Sequence, residues 1–224
     1  MRPLRIILLA ALAAGDVQAA EVPVAGGRTF NVPVRSMKTL RFASTLRQQY
    51  DFSCGSAALA TLLTHHYGYP VSESTVFAAM WAQGDQGKIR REGFSLLDMQ
   101  RYLATIGFQA DGFRLPLDKL VDAGLPAIVL ITETGYNHFV VIKGALDGRI
   151  LLGDPSSGTR SLSRARFEAM WPTRLLFVIH TAPTQPAFNL ADDWRAAPHA
   201  PLADAVARTA QGGVDLPKFG PGDF

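Results

Sequence analysis

The sequence predicts an α+β fold, with a helical layer first and an antiparallel sheet after it. Helix-period runs with cap and stop signals fill the stretch from Cys54 to Gly124. Beyond Gly124 the pattern changes to β-branched runs bounded by Gly, Pro and Asp: "LPAIVLIT", "HFVVIKG", "RILLGD" and "LLFVIH". Helices followed by strands indicate segregated layers around a shared core.

Each element has its own signal. Arg2 and Arg5, the short apolar run Ile6 to Ala14 and the small residues of Val17-Gln-Ala19 read as a secretory signal peptide over 1–19, too short to span a membrane. Residues 20–41 alternate apolar and polar around Gly26-Gly27, as in "RTFNVPV", and form an extended lead-in. "CGSAALATLLTHHYG" is helical and ends at Gly68. Ser72 to Gln83 is a second helix. "FSLLDMQRYLATIG" is a third, in which Ser95 and Asp98 have capping-box spacing and Gly107 closes the end. A short helix begins at Pro116. Four strands follow, with a turn ("DPSSG") and a short helix ("SRARFEAMW") between the third and the fourth. From 182 to 224, Pro, Ala and Gly dominate without periodicity, so this tail is expected to be loosely ordered.

Composition narrows the partners. A formal net charge of +3, with both signs well mixed, leaves no basic patch for nucleic acid. The exported, mature chain is expected in the periplasm. Exported proteins usually pair their cysteines, yet this chain has only Cys54, which cannot brace the fold through a disulfide.

The alternatives for Cys54 are a small buried residue or a reactive thiol. It stands where its helix begins, just after the capping candidates Asp51 and Ser53, and unpaired amides with the helix dipole stabilise a thiolate there. Gly55 leaves room for a substrate backbone. Gln48, six residues upstream, is placed to join the Cys54 amide in binding an oxyanion. A cysteine nucleophile needs a base. His65 and His66 share its helix but lie roughly 16–18 Å along it; they read as cations at the helix C-terminus. His180 closes a strand and His199 is in the tail, which leaves His138. Asp154, ending the next strand, is the candidate orienting acid, although Asp-Pro is also an ordinary turn start. The two share a sheet face only if the paired residue numbers add to an even sum. That favours a three-residue loop at Leu146-Asp147-Gly148, or an equivalent bulge, over a two-residue turn.

Together these residues resemble a known family. Gln48, Cys54-Gly55 with its Ala-rich helix, Asn137-His138-Phe139 and Gly153-Asp154-Pro155 are similar to family 39 of the cysteine peptidases, papain-like enzymes that cut bacteriocin leaders after a double glycine. The resemblance covers about residues 42–181. It implies a papain-like fold, with Cys54 as nucleophile, His138 as general base, Asp154 as its orienter, Gln48 as oxyanion donor, and no metal or cofactor. Transporter-linked members commonly have Asp before Cys-Gly, where this chain has Ser53, and are fused to a membrane ATPase. Here there is no GxxxxGK[ST] loop, so the resemblance is to a free-standing exported branch tied to functional-amyloid export. It implies an exported polypeptide as substrate, and amyloid subunits or an outer-membrane export pore as partners. Two other readings stay open: a peptide-binding module on the same fold, and transglutaminase-like acyl transfer. Gly212-Gly213, after Leu202, Val206 and Ala210, resembles a double-glycine leader and suggests self-cleavage; Gly26-Gly27 invites the same idea.

Overall fold

A computed structural model describes residues 18–24, 28–180 and 187–198. Strands β1 (Gln18–Val24) and β2 (Arg28–Val34) pair as an antiparallel hairpin. Helix α1 (Met37–Arg41) follows, capped by the Ser36 hydroxyl. The lead-in is thus strand pairing plus one helical turn. Residues 1–17, Gly26-Gly27, His199 and Gly212-Gly213 lie outside the described residues, and so do most of the signal peptide and both double-glycine expectations.

The helical layer contains α2 (Cys54–His65), α3 (Glu73–Gln83), α4 (Gln86–Glu92) and α5 (Leu96–Thr105). After it come β3 (Ala110–Arg114), α6 (Leu117–Ala123), β4 (Ala127–Glu133), β5 (Tyr136–Leu146), β6 (Arg149–Asp154) and β7 (Gly158–Ser163). Helix α7 (Arg164–Met170), β8 (Leu175–Ile179) and α8 (Ala191–Arg195) complete the order. One sheet runs β3-β8-β4-β5-β6-β7, each neighbour antiparallel. The α+β expectation holds. No helix among the described residues is long and apolar enough to cross a membrane.

Helix α2 is the hub. Every residue from Cys54 to Leu63 is buried, as expected of a helix apolar on all sides. It packs between α3, α5 and the face of β5 that presents Phe139 and Val141, while Val140 and Ile142 face the second cluster with Phe167 and Trp171 of the α7 region. Gly55 serves this packing and not the substrate. A Cβ there would sit 2.8 Å from Met99 Cε and 3.2 Å from Phe94 Cβ, so the expected space for a peptide backbone is filled by α5 and its approach.

The sequence missed two strands, β3 and β7. In β3 only Ala110 is buried, because it is an edge strand with little apolar surface to signal it. In β7, Thr159 and Arg160 turn to polar partners, so no apolar alternation forms.

The β5–β6 register resolves the His138–Asp154 question differently from the loop expectation. Leu146 pairs with Arg149, so the turn has two residues, Asp147 (φ 50) and Gly148 (φ 69). Two successive left-handed residues make the hairpin turn whose twist matches its strands. Such a turn gives an odd sum, but the register shifts between Ile142 and Gly144, and beyond it Val141 pairs with Gly153. The extra residue is Lys143. This β-bulge supplies the even parity, so the bulge alternative is the one the chain uses.

Lys143 is buried by its position and satisfied by its partners. Its Nζ donates to the Ser44 carbonyl (2.8 Å), Ser44 Oγ (2.7 Å), Thr159 Oγ1 (3.2 Å) and Asp193 Oδ1 (3.3 Å). The Phe188 ring lies 4.6 Å from the ammonium. Burial pulls the Lys143 pKa down to about 8, against the opposing charge of Asp193. Phe188 and Asp193 belong to the tail expected to be loose. Residues 187–198 instead pack on the domain, held also by Arg149, which donates to the Ala197 carbonyl at 2.9 Å. Replacing Asp193 with alanine would strand a buried ammonium, so denaturant unfolding should show a loss of ~3–5 kcal/mol.

Candidate active site

Cys54 opens α2 and is buried, 6 % exposed. Neither expected cap reaches the helix. The Ser53 hydroxyl accepts from the Tyr50 amide (3.1 Å) and donates to the Tyr50 carbonyl (3.0 Å), which locks the preceding turn. No side chain caps α2, so its first amides are not consumed by one.

His138, near the start of β5, meets Asp154 at the end of β6. Its Nε2 lies 2.8 Å from Asp154 Oδ1. Its other nitrogen, Nδ1, is buried with no hydrogen-bond partner among the described residues. With Nε2 committed to the carboxylate, Nδ1 is the atom left for the thiol. Burial alone would lower the His138 pKa. The hydrogen bond and charge of Asp154, helped by the nearby Cys54, overcome it and push it up to about 9. His138 and Asp154 thus meet where β5 and β6 run side by side, and Cys54 on the helical layer lies near enough to act on the imidazole.

Asp154 is both turn start and orienter. Its Oδ1 also accepts from the Ser156 amide (2.8 Å), Ser156 Oγ (2.7 Å) and the Ser157 amide (3.3 Å). Its Oδ2 lies 2.9 Å from Arg160 Nη2, and Arg160 in turn pairs with Glu133 at 2.7 Å. Burial raises the Asp154 pKa, but His138, Ser156 and Arg160 outweigh it and hold the carboxyl well below the usual carboxylate range.

Gln48 lies on the same wall as His138 and Asp154, and its backbone amide donates to the Pro155 carbonyl at 3.1 Å. Its side-chain Nε2 donates to the Tyr50 carbonyl (3.0 Å) and the Asp51 carbonyl (3.4 Å), while its buried Oε1 has no partner among the described residues. In this state the amide braces the loop before Cys54. Burial lowers the pKa of both His65 and His66, against the cations expected at the helix end, and the His66 ring packs 5.1 Å from that of Phe188. His180 pairs with Asp111 at 2.9 Å.

Two hollows flank the pair. One, about 790 Å³, is lined by Cys54 and mostly apolar side chains, among them Phe94, Leu96, Leu130, Phe139 and Leu175. The other, about 590 Å³, is polar, with Gln48, Asp51, Glu133, His138, Asp154 and Ser156. Sequence reading missed Arg160, Glu133 and Tyr136. Arg160 was recoverable in principle: had β7 been recognised, the pairing of Leu152 with Arg160 puts it on the Asp154 face.

Residues 43–183 match the Peptidase C39 family. This chain belongs to that family. It is 41 % identical over 175 residues, covering 76 % of each chain, to a Pseudomonas fluorescens protein named probable functional amyloid protease FapD. Among solved structures it resembles the peptidase domain of Streptococcus ComA, an ABC transporter (TM-score 0.52, 23 % identity, 63 % of this chain and 98 % of that one). It also resembles a double glycine motif protease from an AMS/PCAT transporter, solved with its leader peptide (TM-score 0.50, 24 % identity, 60 % and 89 % covered). These likenesses establish the papain-like fold that the sequence resemblance implied. The C39 match ends before α8, so the segment that buries Lys143 lies beyond it.

Proposed function

We propose that this C39 chain is a thiol endopeptidase that works in the periplasm on an exported polypeptide, cutting after small residues of the Gly-Gly type. The observation that supports it is the buried His138–Asp154 pair at 2.8 Å with Cys54 near enough to act on the imidazole. The Cys54 thiolate attacks the scissile carbonyl while the Cys54 amide and Gln48 stabilise the oxyanion. His138 gives its proton to the leaving amine as the C–N bond breaks. Water, deprotonated by His138, then releases the acyl group as a carboxylic acid and restores the thiol. Gln48 has to leave the Tyr50 and Asp51 carbonyls to take part. The signal-peptide pattern supports export, and the FapD relative supports functional-amyloid subunits as substrate class.

Mass spectrometry of a Gly-Gly-containing peptide after incubation tests the scheme. A new C-terminal carboxylate after the glycines is expected, and none after iodoacetamide blocks the thiol. Products joined to an added amine in place of the acid would show acyl transfer instead. An intact peptide would sink the peptidase reading.

Asp154→Asn should cut kcat/KM by about 10²–10⁴-fold, because a neutral amide no longer compensates the imidazolium charge and leaves Arg160 without its carboxylate. The alkaline limb of the pH profile should also move acidward, since Asp154 helps hold His138 at about 9. Stability follows the same linkage. The raised His138 contributes fully below about 6.5 and is lost as pH climbs through about 9. The depressed Asp154 contributes above about 3.9 and is lost in acid. In wild type the pair therefore stabilises most between those two limits, and Asp154→Asn should flatten that maximum in a series of melts across pH.

A further inference from the structure

The Tyr136 hydroxyl donates to the Asp51 carbonyl at 2.8 Å, joining residues 85 apart in the chain. Tyr136 opens β5 at the tip of the β4–β5 hairpin, right after the left-handed pair Thr134 (φ 49) and Gly135 (φ 81). Asp51 belongs to the loop in front of Cys54. The contact therefore bridges the sheet layer and the helical layer across the cleft.

Tyr136 lines both hollows, whereas Cys54 lines only the apolar one and His138 and Asp154 only the polar one. A carbonyl attacked by Cys54, whose leaving amine takes a proton from His138, has to lie within reach of both. The peptide thus crosses from one hollow to the other at Tyr136. The tyrosine ring lies 6.2 Å from the His138 ring, centroid to centroid. Tyr136 is 53 % exposed, while Cys54 and His138 are only 6 % and 7 % exposed, as expected of a cover and what it covers.

We propose that Tyr136, bridged to Asp51, roofs the thiol–imidazole pair and limits the side-chain size of the residues flanking the cut bond. This specificity role rests on the peptidase reading. The Asp51 carbonyl also accepts from Gln48 Nε2 at 3.4 Å, so the roof and the oxyanion donor share one anchor. A glycine backbone passes beneath the ring. A residue with a Cβ pushes the phenol outward and breaks its bond to Asp51.

Two variants of the full chain separate roof from chemistry: Tyr136→Phe removes only the hydroxyl, and Tyr136→Ala removes the ring. The first readout is alkylation of Cys54 by iodoacetamide and by a bulkier maleimide, which needs no catalysis. Labelling should accelerate several-fold in Tyr136→Ala and less in Tyr136→Phe, with the larger gain for the maleimide. The second readout is kcat/KM on three peptides that differ only in the pair before the cut: Gly-Gly, Gly-Ala and Gly-Leu. Wild type should favour Gly-Gly over Gly-Ala by about tenfold or more, and both variants should narrow that ratio.

Wild-type labelling rates in both variants, or an unchanged Gly-to-Ala ratio, would overturn the proposal even where wild type cuts peptide. A wild type that cuts none of the three peptides while labelling still rises in the variants would overturn the peptidase reading and the size limit with it. The roof would then stand on the labelling alone.

Discussion

A Cys54→Ala chain should fold like wild type and cut no peptide, with a loss of at least about 10⁴-fold in kcat/KM. The thiol contributes one small buried group to the helical-side cluster, so removing it should change unfolding free energy by only about 1 kcal/mol. No other cysteine exists to replace it. The substitution also has a readout that does not depend on turnover. Cys54 and Asp154 together hold His138 at about 9. With the sulfur gone, only the carboxylate remains to oppose burial, so the His138 titration followed by NMR should move to lower pH. A chain that lost activity but kept the His138 midpoint would mean that thiol and imidazole do not interact. Retained cleavage would remove Cys54 from the chemistry altogether.

How much of the fold and the site is legible in the sequence depends on whether a signal lies within one segment. The helical layer was legible because α2, α3 and α5 each combine an apolar pattern with a local cap or stop, such as the Ser95–Asp98 capping box, which forms. The triad candidates were legible because the lone cysteine needed a base, and four of five histidines could be set aside by distance or position. What escaped was defined by partners in space. Strand β7 is polar because its Thr159 and Arg160 serve Lys143 and Asp154, so its period carries no hydrophobic signal. Phe188 and Asp193 sit in a Pro- and Ala-rich stretch that composition assigns to a tail, yet a buried lysine far upstream holds them. Glu133 acquires meaning only through Arg160 of β7, and Tyr136 only once the hairpin tip is laid against the loop before Cys54.

Deleting Lys143 should cost stability and leave cleavage in place. The Asp147-Gly148 turn, with every residue of β5 in the ladder, would put His138 and Asp154 on opposite faces, because one position of slip turns every side chain over. Lys143 is the residue that stands out of the ladder as the bulge, and its ammonium is tied to Ser44, Thr159 and Asp193. Removing it closes the ladder without a bulge: Gly144 still faces Leu151, Ile142 still faces Leu152 and Val141 still faces Gly153. His138 and Asp154 therefore stay on one face, and Val140 and Ile142 stay in the cluster they share with Ile150 and Leu152. Peptide cleavage and a raised His138 midpoint should survive the deletion. Asp193, buried without its cation, should lower the unfolding free energy by ~3–5 kcal/mol in denaturant melts. Lys143→Met keeps the bulge and removes only the charge, and it should cost about as much stability. If the deleted chain folded but its His138 titrated near its ordinary value, the bulge itself, beyond its parity, would be what sets the His138–Asp154 contact.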